Sequence, residues 1–224
     1  AGFNFGSAVR ISGDDKYLAV SEISATVGGV VNAGRIRIFT KNAQDNWVLE
    51  STIENPLPAA NDYFGTGLSF NEDATTLVVG AYRADVTASD AGIIYTYVRS
   101  GATWTRAYTT KIPEVVANSD FGISTALSTN QLYLAVGAQA ASGIVATSGA
   151  VYLFSRTSIA NNWTFLYKLW PSDGVVNDGF GHSVAFSEDG SRLVVSAYID
   201  SGATNYTGSV YIYKRPDLTL DNWI

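Results

Sequence analysis

The sequence predicts an all-β fold, a β-propeller of four blades with four antiparallel strands in each. Three observations carry this. A Phe-Gly pair recurs at Phe5-Gly6, Phe64-Gly65, Phe121-Gly122 and Phe180-Gly181, in steps of 59, 57 and 59 residues. The Leu of the next apolar run, at Leu18, Leu77, Leu134 and Leu193, keeps the same steps. A Gly opens a third run at Gly34, Gly92, Gly149 and Gly208, and a Trp closes each unit at Trp47, Trp104, Trp163 and Trp223. Landmarks that hold one period along the whole chain mark a repeat architecture. Four short strands per repeat, arranged radially, make a propeller blade.

Each strand has its own reason. The first starts at Phe-Gly and alternates, as in Val9/Ile11, Leu68/Phe70 and Val184/Phe186, the period of two that one buried face demands. A polar turn follows (GDDK, NEDA, STNQ, SEDG), then a second strand rich in β-branched residues (YLAV, LVVG, YLAVG, LVVS). A longer loop of small residues leads to the third strand (GRIRIF, GIIYTY, GAVYLF, GSVYIY), and the fourth surrounds the Trp. The Gly after each Phe is expected to let neighbouring blades approach closely. No stretch sustains an apolar period of 3.6 with caps, so no helix of consequence is expected. The blades are placed at about 3–62, 63–119, 120–178 and 179–224 of one domain, 1–224.

Composition narrows the partners. Charged residues make up 15% of the chain and the net charge is −6, with 14 Lys and Arg and no basic run, so nucleic acid is not an expected ligand. Every apolar run is cut by Gly, Asp or Ser before it reaches the length of a membrane-spanning helix. Cysteine is absent, which removes disulfides, thiol nucleophiles and thiolate metal sites. Methionine is absent too, and the sequence reads as a processed product or a portion of a longer chain. If it is a closed four-bladed ring the termini should lie together. If it is part of a larger propeller, its first and last blades need neighbours, either further repeats or other subunits.

The phrase FGHSVAF, LVVSAY, GSVYIY resembles the FG-GAP repeat, the blade unit of integrin α-subunit heads and of many surface proteins. The resemblance extends over essentially all of the chain. Two departures bear on function. The Gly-Ala-Pro element reads Ser21-Glu22-Ile23, Gly80-Ala81-Tyr82, Gly137-Ala138-Gln139 and Ser196-Ala197-Tyr198, without proline. The first turns lack the acidic ladder of calcium-binding members, so no integrin-type calcium site is expected at Asp14, Asp15, Glu72, Asp73, Glu188 or Asp189, and no cofactor is expected elsewhere. Those acidic pairs read as solvated hairpin turns.

Candidate sites are few. His182 is the single histidine, at a position where the other units have Ser7, Thr66 and Ile123, and it reads as a tolerated variable position rather than a general base. No nucleophile elbow and no Ser/His/Asp arrangement is present, so no catalytic residue is assigned and the chain is not expected to be an enzyme. Asp62, Asp120 and Asp178, just before the Phe-Gly pairs, read as Asx residues that fix the turn into the inner strand. The Trp closing each unit reads as packed in the outer strand. Trp170 has no counterpart and is a candidate exposed contact.

The loops between second and third strands differ while the strands agree, which makes them the expected recognition face, with Tyr82, Asp85, Asp90, Tyr198, Asp200 and Tyr206 as ligand-binding candidates. Asn162 and Asn205 stand in glycan-acceptor sequons. The function expected is a non-enzymatic binding, adhesion or extracellular assembly module at the cell surface, with a protein or glycan ligand on the loop face. A lectin-like propeller is the alternative, and a carboxylate-based glycosidase the third reading.

Overall fold

The computed structural model describes residues 4–114, 116–200 and 207–215. These residues form four antiparallel sheets and no helix. The first blade has β1 (Phe5–Ile11), β2 (Tyr17–Glu22), β3 (Arg35–Lys41) and β4 (Trp47–Glu54). The second has β5 (Leu68–Phe70), β6 (Thr76–Ala81), β7 (Ile93–Ser100) and β8 (Thr103–Lys111). The third has β9 (Phe121–Leu127), β10 (Tyr133–Ala138), β11 (Ala150–Ser155) and β12 (Thr164–Leu169). The fourth shows β13 (Phe180–Phe186), β14 (Arg192–Ala197) and β15 (Ser209–Lys214). The strand expected around Trp223 lies outside the described residues. Strands in each sheet are ordered as in sequence, so every connection is a hairpin between neighbours.

The Gly of each Phe-Gly pair has positive φ, for example 96° at Gly122, and the pairing register of the inner strand slips there in the first, third and fourth blades. A left-handed residue at such a slip is the behaviour of a β-bulge, which glycine tolerates without a Cβ penalty. Conformation therefore joins close approach as the reason for this glycine. In the second blade the strand starts only at Leu68.

Three apolar cores form, one at each junction between consecutive blades. Ile36 and Ile38 of β3 meet Phe64, Leu77, Val79 and Tyr95. Val78 and Ile94 meet Phe121, Leu134, Val136 and Tyr152. Val151 and Leu153 meet Phe180, Leu193 and Val195. Both faces of a middle blade are thus buried, which is why β6 and β7 are apolar almost throughout rather than alternating. Backbone bridges stitch the blades together: Gly92 pairs in parallel with Phe121, and Gly149 with Phe180.

The polar hairpin turns at the far end share one construction. Ser12, Asn71, Ser128 and Ser187 each donate to the side-chain oxygen two residues on, at Asp14, Asp73, Asn130 and Asp189. Each also accepts the backbone N–H five residues on, from Tyr17, Thr76, Tyr133 and Arg192. These are Asx and Ser/Thr turns, and they correct the expectation of simply solvated acids. Among the described residues no group of three or more His, Cys, Asp or Glu is placed to hold a metal ion. The terminal Trp residues also differ from one another. Trp163, just before β12, is buried and donates its indole N–H to Thr96 of the preceding blade at 2.9 Å. Trp47 and Trp104 are half-buried on their strands.

Candidate functional site

The inner strands β1, β5, β9 and β13 surround a central cavity of about 510 Å³, lined by Ser7, Arg10, Thr66, Ser124, His182 and Ser183 among others. One end of this cavity opens at the face where the Phe-Gly pairs begin. The loops after β2, β6, β10 and β14 emerge on the same face, because each second strand runs antiparallel to its inner strand.

His182 occupies this mouth. Its Nδ1 lies 2.7 Å from Oε1 of Gln139, and the Nε2 of Gln139 donates to Oδ2 of Asp120 at 3.0 Å. The line crosses the junction between third and fourth blades: Gln139 directly follows β10, Asp120 directly precedes β9, and His182 lies in β13. It also fixes the imidazole tautomer. The carboxylate of Asp120 accepts from the amide of Gln139, so the amide oxygen faces His182 and accepts its Nδ1–H. Nε2 is then the unprotonated nitrogen. Tyr198 lies over the ring, with centroids 4.1 Å apart. Partial desolvation lowers the pKa of His182, which keeps the imidazole neutral at neutral pH. Burial raises that of Asp120, opposed by the bond from Gln139 and by the Arg83 guanidinium.

On the same face, Tyr63 stacks on Tyr82 with centroids 5.6 Å apart, and the guanidinium of Arg83 lies over both rings. The residue before each Phe is left-handed in all four blades: Asn4, Tyr63, Asp120 and Gly179 have φ of 51°, 52°, 56° and 70°.

Here the grouping of Asp62, Asp120 and Asp178 is corrected. Asp62 and Asp178 stand two residues before Phe, are buried, and accept backbone N–H bonds from Ala59 and Val175 as turn-fixing residues. Asp120 stands one residue later, where the left-handed backbone directs it to Gln139. Ser119 takes the turn-fixing place in that blade and donates to the carbonyl of Ala91.

The loop candidates part company. Tyr82 stacks on Tyr63, and Tyr198 lies over the ring of His182. Asp85 accepts the backbone N–H of Asp90 at 2.8 Å, so both belong to one loop's internal structure. Asp200 is buried and accepts from the hydroxyl of Tyr211 at 3.1 Å. Trp170 is exposed, its carbonyl accepting from Tyr213. Asn162 is exposed, and its side-chain oxygen accepts the N–H of Trp163. Tyr206 and Asn205 lie outside the described residues. Gln139 escaped the sequence reading as a site residue and Asp120 was read there only as turn-fixing; their visible signal was that each differs from its counterparts in the other repeats.

A family model of the FG-GAP repeat matches residues 47–97 and 163–213. Each match runs from the fourth strand of one blade to the third strand of the next. The protein is therefore a β-propeller that matches the FG-GAP repeat at two places. A sequence search of curated proteins finds no significant relative. Among solved structures, it is similar to a protein of Bacteroides fragilis NCTC 9343 provisionally named as a 6-phosphogluconolactonase, with TM-score 0.62, 15% identity, and coverage of 97% of this chain and 52% of that one. A protein of the same provisional name from Bacteroides uniformis ATCC 8492 gives TM-score 0.65 at 11% identity, over 96% and 52%. The periplasmic gluconolactonase PpgL of Pseudomonas aeruginosa gives 0.62 at 13%, over 96% and 55%.

The chain spans about half the length of these structures. Identities this low establish the shared fold alone. The expectation of a non-enzymatic binding, adhesion or lectin-like module is corrected by what shares this fold: these neighbours carry the names of lactone hydrolases. The premise that nothing here resembles an enzyme is corrected with it. His182 is no isolated variable residue but the end of a hydrogen-bonded line at a cavity.

Proposed function

We propose that this propeller is a hydrolase that opens a sugar-acid lactone at the central cavity, with His182 as general base. The observation that carries the reading is the line Asp120–Gln139–His182, which ends at a residue lining the cavity and leaves its Nε2 unprotonated. The substrate class is taken from the names of the fold neighbours.

The chemistry needs little more. Nε2 takes a proton from water as the water oxygen adds to the lactone carbonyl carbon. The ring C–O bond then breaks, and the departing alkoxide takes the proton back from the imidazolium. One water is consumed and a hydroxy acid is released. Arg10, in the same cavity, is the cation available to the new carboxylate.

The test is pH-stat hydrolysis of glucono-δ-lactone by the 224-residue chain, beside His182→Ala. General-base removal should lower the rate about 100-fold or more. A wild-type rate no faster than buffer, or an unimpaired His182→Ala variant, would reject the proposal.

A further inference from the structure

Two positions of the repeat meet beside the Phe-Gly pairs: the residue just before Phe, and the residue just after the second strand. In the second blade these are Tyr63 and Tyr82, which stack, and in the third they are Asp120 and Gln139, which share a hydrogen bond. In the fourth they are Gly179 and Tyr198, and only the tyrosine has a side chain. Its ring lies on the glycine: a Cβ at Gly179 would sit 2.7 Å from Cε1 and 2.8 Å from Cδ1 of Tyr198. Tyr63 and Asp120 hold the same left-handed backbone as Gly179 without being glycine. Conformation alone therefore does not require a glycine here. The ring does, because it fills the space that a side chain at 179 would take.

From that place the ring reaches His182, with centroids 4.1 Å apart and planes inclined by 34°. The backbone ties the three residues together, since the N–H of His182 donates to the carbonyl of Gly179 at 3.2 Å. Gln139 holds one atom of the imidazole, Nδ1, from the third blade. A single hydrogen bond leaves the imidazole free to turn about the line of that bond. A second ring against its face removes this freedom and keeps water from that face. We propose that Tyr198 is a positioning residue for His182, clamping the imidazole from its own blade, and that Gly179 is the glycine that admits the clamp. The role rests on the reading of His182 as general base. A base held in one orientation keeps Nε2 aimed, and small misplacements of a reacting group cost rate steeply.

His182 is the single histidine of the chain, so one imidazole signal reports the clamp without any substrate. Nitrogen-15 NMR of the wild-type imidazole should show one tautomer, protonated at Nδ1. Tyr198→Ala should leave a mixture of tautomers and raise the imidazole midpoint toward the ordinary 6.5, because the uncovered face takes water. Arg10, which lines the same cavity, and Asp120, beyond Gln139, are unchanged in this variant, so the shift reports the ring. Tyr198→Phe keeps the ring and should keep the wild-type signals. Gly179→Ala should reproduce the signals of Tyr198→Ala by pushing the ring away. Combined with Tyr198→Ala it should add nothing to them, whereas backbone strain at a φ of 70° would act in both backgrounds.

Both positions lie just outside β13 and β14, and far-ultraviolet circular dichroism should be unchanged in every variant. In lactone hydrolysis, Tyr198→Ala should lower kcat roughly tenfold with KM little changed. Histidine signals that stay as in the wild type in Tyr198→Ala would overturn the proposal. So would signals that move as far in Tyr198→Phe as in Tyr198→Ala, or that shift additively in the double variant. A chain whose signals follow the expected pattern but which hydrolyses no lactone would keep the clamp and reject the hydrolase.

Discussion

The α-carbon of Gly137 lies so close to the carbonyl of Gly181 that a Cβ on Gly137 would sit 1.9 Å from that oxygen. The same relation holds between Gly80 and Gly122, again at 1.9 Å. Both are contacts of backbone on backbone, so no side chain can swing aside. Gly137→Ala should force the third and fourth blades apart and cost roughly 3 kcal/mol, at the upper end of what overpacking does in a dense core. Urea unfolding checks it. Because His182 bonds to Gln139 across this junction, the histidine resonances should shift in the same variant.

The four Phe residues of the repeat give an internal comparison. Phe121 is fully buried at the second junction, in edge-to-face contact with Tyr152 at 5.5 Å. Phe121→Ala should destabilise by about 3–5 kcal/mol. Phe5→Ala should cost under about 1 kcal/mol, because Phe5 is largely in solvent. Equal losses in the two variants would contradict the burial asymmetry.

Asp189 should titrate at about 2. The hydroxyl of Ser187 donates to its carboxylate at 2.6 Å, and the N–H and hydroxyl of Ser191 donate at 3.0 and 2.8 Å. A carboxylate that accepts three bonds resists protonation. Its folded-state pKa lies below the unfolded value, so its contribution to stability is present above the ordinary value of 3.8 and is lost as pH falls toward 2. Carbon-detected NMR titration reads the midpoint, and Ser187→Ala should move it upward.

Lactone hydrolysis by the wild type should rise with pH and level off, with a midpoint below the ordinary histidine value of 6.5, because desolvation disfavours the imidazolium. The same depression makes the unfolded chain the better proton binder near pH 6.5. The stability tied to His182 is then present above that pH and is lost as pH falls. Gln139→Leu removes the acceptor that holds the proton on Nδ1, and the plateau rate should drop roughly tenfold, about 1.4 kcal/mol. An unchanged plateau would show that the tautomer is set by something other than Gln139.

The sequence by itself determined the blades. The period of the Phe-Gly pairs, the alternation of β1, β5 and β13, and the apolar runs that became β6 and β10 are local patterns, and burial of one face or both imposes them directly on the chain. The turns were legible for the same reason, since a Ser or Asn reaching the residue two positions on needs only neighbours in sequence. Tertiary structure decided the site. Asp120 looked like Asp62 and Asp178 because each precedes a Phe-Gly pair, but a shift of one position along a left-handed backbone turned it from the turn toward Gln139. His182 looked solitary because its partner lies 43 residues away on another blade. Hydrogen bonds within a turn are set by chain connectivity and leave a mark at fixed spacing. Bonds across a blade junction are set by how two sheets pack, and single residues that break the repeat are their only trace in the sequence.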